Sequence, residues 1–252
     1  MIHLQVTSKV LQKADTWIKF PTSPQEILQA KEIWMTKFRM PCVIGAIDCT
    51  HVRISKPKEN GDEYINRKGY PSFNVQATCN ANEEFTSVDA NWPGSVHDSR
   101  IFKNSTVGNF LKNRTQSTVL IGDSGYGIAP WIITPFENPT TDAQINFNAV
   151  YAKERVIIER CFGQLKRRFP ILHYKVRVAL PKISGIIVCC CILHNIGKYL
   201  KDNNDFSEYE SPPENCNPEH RNNTTVVLSD ARTRALGQQL RDQIVQILIS
   251  NH

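Results

Sequence analysis

This 252-residue chain has no long apolar stretch. Its longest unbroken apolar run, residues 186–193, is far short of the roughly 20 residues a helix needs to cross a bilayer. The first twenty residues scatter Lys9, Lys13 and Lys19 among apolar positions, with no continuous apolar segment leading to a small-residue cleavage site, so no secretory leader is read. No C-x-x-C pair occurs. The eight cysteines fall at 42, 49, 79, 161, 189, 190, 191 and 216, three of them consecutive, which suits neither a disulfide framework nor a zinc knuckle. A reducing compartment is expected, and a repeat at solenoid period is also missing.

What is present is the composition of a globular domain, 40% apolar and 21% charged, long enough to bury a sizeable core. The net charge of +6 is unevenly spread. Residues 150–182 hold nine Lys or Arg against two Glu, and the remainder is close to neutral. A localised basic block favours a polyanionic partner, nucleic acid before membrane, and the plainer alternative is a solvated helix face.

Ser23-Pro24-Gln25-Glu26 reads as a capping box with proline at the first helical position, opening a helix toward Met40. Residues 43–54 are rich in β-branched side chains. Phe73, Val75, Ala77 and Cys79 alternate with polar neighbours ahead of an Asn80-Ala81-Asn82-Glu83 turn, and residues 85–90 return as a third strand of a meander. A turn at residues 91–95 leads to a helix through Asp98 and Phe102, which Ser95 is placed to cap. Residues 118–122 and 131–134 read as a fourth and a fifth strand. A long helix over 148–168, ended by Pro170, buries Val150, Ile157, Ile158, Cys161, Phe162 and Leu165, and a further helix spans 182–200. Residues 201–228 read as a linker poor in aliphatics, and 229–252 as an amphipathic helix capped by Ser229, with Leu236, Leu240, Ile244, Ile247 and Leu248 on one face. The expected fold is α/β, a mixed sheet of about five strands with flanking helices and a C-terminal helical extension.

Two carboxylates sit where charge is expensive. Asp48 lies within the apolar strand Gly45-Ala46-Ile47-Asp48, and Asp123 follows Val119-Leu120-Ile121-Gly122 at a strand's carboxyl end, with glycines on either side. A cation would offset both. Glu159 taken alone reads as the helical partner of Arg155 one turn earlier; with the two aspartates it completes a hard-oxygen set suited to Mg²⁺ or Mn²⁺, the chemistry of phosphodiester cleavage. Consecutive Cys189, Cys190 and Cys191 point in different directions and read as core. A serine-protease reading, from His51, Asp98 and Ser124 in Gly122-Asp123-Ser124-Gly125, fails at Tyr126, where that motif needs glycine.

Six segments together resemble the DDE domain of PIF/Harbinger transposases and the nucleases derived from them. They are Gly45-Ala46-Ile47-Asp48 with Thr50-His51; Asn66-Arg67-Lys68-Gly69-Tyr70 with Phe73-Asn74-Val75-Gln76; Trp92-Pro93-Gly94-Ser95-Val96-His97-Asp98-Ser99-Arg100; Gly122-Asp123-Ser124-Gly125-Tyr126; residues 158–169 around Glu159-Arg160 and Lys166-Arg167-Arg168; and Leu193-His194-Asn195. The resemblance covers residues 41–200, read as the nuclease domain after a lead-in at 1–40 that is shorter than the helix-turn-helix-like region such proteins carry. It departs at Cys49, where glycine is usual, and at Gly127-Ile128, where Pro-Leu is usual.

The resemblance implies an RNase H-like fold and a two-metal DNA endonuclease with Asp48, Asp123 and Glu159 as catalytic acids. Asp98 is either a further metal ligand or a helix-capping residue. Arg67, Lys68, Arg160, Lys166, Arg167 and Arg168 are the expected contacts to DNA phosphates. The resemblance also implies a nuclear location, with cytoplasm as the second compartment, a Myb-like protein partner, homo-oligomerisation and no membrane role. The alternative is a domesticated protein that keeps the fold but acts as a DNA-binding or protein-interaction module.

Overall fold

The computed structural model describes residues 2–114, 117–202 and 228–250. Among these the chain runs α1 (Ile2–Leu11), α2 (Ala14–Trp17), α3 (Pro24–Lys37), β1 (Val43–Arg53), β2 (Ser72–Cys79), β3 (Phe85–Pro93), α4 (Asp98–Asn104), α5 (Thr106–Lys112), β4 (Val119–Ile121), β5 (Ile132–Ile133), α6 (Asp142–Arg168), α7 (Pro170–His173), α8 (Leu180–Tyr199) and α9 (Leu228–Ser250). Single 3₁₀ turns occupy Gly61–Tyr64 and Ser124–Tyr126.

The five strands form one mixed sheet in the order β3-β2-β1-β4-β5. The hairpins β1/β2 and β2/β3 are antiparallel, whereas β1/β4 and β4/β5 are parallel. Alternation along β2 works as expected: Phe73, Val75, Ala77 and Cys79 enter one core with residues of α6 and α8. The opposite face packs Ile44, Ile47 and Leu120 against Phe102, Val107 and Leu111 of α4 and α5. The arrangement is a three-layer α/β fold of RNase H-like topology, as the sequence led us to expect.

Local chemistry sets the element boundaries. Ser23 accepts from the Glu26 amide while the Glu26 carboxylate accepts from the Ser23 amide, so the capping box forms as read. The long helix α6 starts six residues earlier than periodicity indicated, because the Thr141 side chain caps it by accepting from the Gln144 amide. At α4, Ser95 is not the cap. The N-cap is His97, without a side-chain cap hydrogen bond, since β3 continues through Pro93 and shifts the turn to residues 94–95.

The C-terminal helix meets the domain by most of the face its apolar residues suggested, with Leu240 partly buried against the core. Ile244, Val245 and Leu248 are buried, while Leu236 and Ile247 stay exposed. Docking is set by Gly237, where a Cβ would lie 2.7 Å from Ala129 backbone atoms, and by Arg241, which stacks on Phe136 and donates to the carbonyls of Thr134 and Pro135. Ser229 and nearly all of the expected linker fall outside the described side chains.

Helix α8 is long and apolar enough to cross a membrane by length and composition, with mean hydropathy 1.6. Here it is a core element. Ile183, Ile187, Cys190 and Cys191 are buried against the sheet layer, Ser184 donates to Ala90 O, and Asn195 brackets Phe85 by accepting from its amide and donating to its carbonyl.

Candidate metal centre

The site follows from strand topology. The chain leaves β1 toward β2 on one side and β4 toward β5 on the other, so the two parallel neighbours diverge and leave a crevice beyond the end of the shorter one. Pairing of β1 with β4 ends at Ala46↔Ile121, and β1 continues for seven more residues, to Arg53. Asp48 and Asp123 both lie just past that last pair.

Asp48 accepts from the Cys49 amide through Oδ1 at 2.8 Å and from Arg155 through Oδ2 at 3.3 Å. Asp123 caps the turn that follows it, accepting from the Gly125 amide at 3.0 Å. Its position is fixed from behind by Tyr151 of α6, whose buried hydroxyl accepts from the Gly122 amide and lies within donating distance of the Gly122 and Ile133 carbonyls. Gly122 is needed there, since a Cβ would press on Ile47, Tyr126 and Ile132 at about 3 Å.

Asp98 enters the same space from the first turn of α4. Asn74 of β2, 2% exposed, donates through Nδ2 to Asp98 Oδ1 and to Val96 O, both at 2.8 Å, and so fixes the carboxylate and the start of the helix together. One carboxylate oxygen from each of Asp48, Asp98 and Asp123 lies within 4.8 Å of the others.

Three such acids in one crevice repel one another. Burial, then the negative charge of Asp123, push the Asp48 carboxyl up to about 8 against the pull of Arg155. Clustered carboxylate oxygens are the hard donor set a divalent Mg²⁺ or Mn²⁺ ion takes, so these residues fit the metal that the sequence implied.

Glu159 stands outside this group of three. It lies on α6 one turn after Arg155, whose guanidinium hydrogen-bonds the Glu159 carboxylate through one nitrogen and Asp48 through another. Arg155 therefore links the third sequence-predicted acid to the first.

The six expected DNA-contacting residues separate into two places. Arg67 and Lys68 are exposed on a tight turn held by buried Asn66, whose Oδ1 accepts from the Lys68 amide and whose Nδ2 donates to Ser72 Oγ. Gly69, at φ +79°, closes that turn. Ser72 Oγ in turn hydrogen-bonds His51 Nδ1 at 3.0 Å, and Lys166 donates to Thr50 Oγ1 and His51 O. Burial holds the His51 imidazole below its usual range; Asp98 opposes this, and the charges of Lys166, Arg67 and Lys68 add to it. These three cations and Asp98 thus share one neighbourhood. His51 is bound to Ser72 and not to Ser124, which removes the protease reading.

Arg160 and Arg168 serve the scaffold. Arg160 pairs with Glu83 at 3.0 Å, and Arg168 pairs with Asp202 at 3.1 Å and lies tight against Gly197, where a Cβ would have no room. Arg167 is exposed. Glu83, at φ +61° in the β2–β3 turn, also binds Lys198 and Gln164, which hold its carboxyl low although burial pushes the other way.

Sequence reasoning did not find Asn74, Tyr151 or Glu154. Asn74 carried a usable signal, a neutral amide in the phase of β2 opposite Phe73 and Val75, in a strand that starts beside the basic turn. Glu154 carried one too, since it falls four residues from both Val150 and Ile158 on the face read as apolar.

Comparison with known proteins accords with this geometry. Residues 47–195 match the family model described as DDE superfamily endonuclease. The chain belongs to that family. It is 32% identical over 195 residues to the human protein named "Putative nuclease HARBI1", covering 76% of this chain and 56% of the relative. The frog (Xenopus laevis) protein of the same name is 26% identical over 195 residues, with the same coverage of each chain. "Protein ALP1-like" of Arabidopsis thaliana is 28% identical over 226 residues, 81% of this chain and 54% of the relative. The chain thus spans about half the length of these relatives. No solved structure matches it.

Proposed function

We propose that this chain is a divalent-metal-dependent DNA endonuclease of the transposase-derived type, hydrolysing phosphodiester bonds at the crevice between β1 and β4. The observation that carries this reading is the convergence of Asp48, Asp98 and Asp123 within 4.8 Å, where the strands diverge. Bound there, Mg²⁺ or Mn²⁺ supplies the positive charge that activates a water and stabilises the leaving oxygen, and two ions are the expected complement.

The residues divide the work. Asp48 and Asp123 are the shared anchors, each braced by a backbone amide. Asp98 is a ligand held in place by Asn74, and Glu159 is the third catalytic carboxylate, supplied by the helix that Tyr151 ties to the end of β4. Arg67, Lys68 and Lys166 line the rim where a phosphate backbone would run, and Arg167 extends that surface along α6. A nuclear location, a DNA-binding protein partner and self-association belong to the same reading.

A second reading, a protein that binds DNA without cutting it, is favoured by the Arg155–Glu159 pair, which keeps one catalytic acid engaged. Plasmid nicking in Mn²⁺ separates the two. The nuclease reading expects relaxed circles from the unaltered chain and at least about a hundredfold less from Asp123→Asn; equal nicking by both, or none by either with DNA binding retained, goes against it.

A further inference from the structure

We propose that the Arg155 guanidinium is the resident occupant of the second cation position, tying Asp48 to Glu159 in the DNA-free protein and turning to a DNA phosphate when substrate arrives. This rests on the metal-nuclease reading and deepens it by fixing when each ion binds.

The four acids around the crevice fall into two overlapping sets. Asp48, Asp98 and Asp123 form one, compact enough for a single ion. Asp48 and Glu159 form the other, and between them lies Arg155, hydrogen-bonded to both. Asp48 belongs to both sets, one oxygen taken by the Cys49 amide and the other by Arg155. A second ion bound by Asp48 and Glu159 would need the carboxylate oxygens the guanidinium now holds.

The pair is built to exchange. Arg155 and Glu159 lie one helical turn apart on α6, so contact between them can form or break by side-chain rotation alone. Their side chains are 25% and 33% exposed, against 18% for Asp48, so solvent and ligand reach the pair. A guanidinium presents five donors in a planar fork that matches a phosphate as well as a carboxylate. A dication in the three-aspartate set repels the guanidinium, and a nearby phosphate offers it another partner. Lys166, three turns on from Arg155 along the same helix, already points to the β1 segment beyond Asp48, at Thr50 and His51, so a phosphate backbone drawn to Arg155 would meet a second cation further along.

The test counts Mn²⁺ ions bound per folded chain by titration, with electron paramagnetic resonance to detect spin-coupled pairs. The unaltered protein is expected to bind one ion without DNA and two with a short phosphorothioate duplex. Arg155→Gln is expected to bind two without DNA, and Arg155→Gln combined with Glu159→Gln to return to one. Two ions on the unaltered DNA-free protein, or one ion on folded Arg155→Gln, overturns the proposal while leaving the metal centre intact. If Arg155→Gln does not fold, the unaltered protein decides: an ion count that DNA leaves at one is contrary to the exchange. No Mn²⁺ bound in any state removes the metal-nuclease reading itself.

Discussion

At Glu154 two carboxylate oxygens accept three hydrogen bonds, from Trp34 Nε1 at 2.8 Å and from the Arg39 and Met40 amides at 2.7 and 3.0 Å. Burial raises its carboxyl despite those donors. The residue binds the end of α3 and the entry to β1 onto α6, behind the metal centre and away from its chemistry. Glu154→Ala leaves an indole N–H and two amides without partners in the core, so a loss of about 3 kcal/mol or more is expected in urea unfolding. His194 gives the pH counterpart. It is buried, with Nε2 facing Glu83 O at 3.0 Å and Nδ1 without a partner, and burial pushes its imidazole down to about 4. The unfolded chain takes up that proton near pH 6.5, whereas the native chain does so only near pH 4. Stability contributed by the neutral ring is therefore present above pH 6.5 and falls as pH drops toward 4, by up to about 3 kcal/mol. Urea midpoints measured between pH 7 and 4.5 check this, and His194→Gln should flatten that part of the profile. Glu154 shows in the sequence only as an acid on an apolar face, and the role of His194 is not legible at all, because Leu193-His194-Asn195 states residue types and not the β2–β3 turn that His194 and Asn195 clamp. Asp48 and Asp123 were legible, since an acid in an apolar strand has few bland explanations.

Elements are where pattern reading did best and where its errors have the clearest causes. The five strands were found because alternation and β-branched runs report directly on a half-buried sheet. The start of α6 was missed because its first turn carries no apolar stripe, although Thr141-Asp142-Ala143-Gln144 is a helix-start signal in its own right. For α9 the stripe held at Leu240, Ile244 and Leu248 and failed at Leu236 and Ile247, since contact also depends on how closely two backbones approach, and Gly237 is invisible to a count of apolar residues. Replacing Gly237 with valine should lift α9 from β5 and α6, costing about 1–3 kcal/mol and speeding amide exchange in α9 while that in β1 is unchanged. The Asn66 turn gives an element-scale test of DNA contact. Arg67→Ala and Lys68→Ala should each weaken binding to duplexes of any sequence and lower the slope of log K against log salt by about 1, which fluorescence anisotropy across a salt series would measure.

At the scale of the whole molecule, one topological fact organises the site: the sheet order β3-β2-β1-β4-β5 opens a crevice where β1 outruns β4, and a strand, a helix and a turn from three parts of the chain each deliver an aspartate to it. Sequence order alone hides this, because Asp48, Asp98 and Asp123 are far apart along the chain and Asp98 reads equally well as a helix-start residue. Asn74 holds the Asp98 carboxylate beside the other two, as the proposed ligand role requires. Asn74→Ala should therefore lower metal affinity about 10- to 100-fold with the fold intact by circular dichroism. The most direct measurement is anomalous diffraction from crystals of the chain grown with Mn²⁺. A manganese peak bounded by oxygens of Asp48, Asp98 and Asp123 is the expected result; a map with manganese bound only elsewhere, and that crevice free of it, would overturn the assignment of these three aspartates as a metal centre.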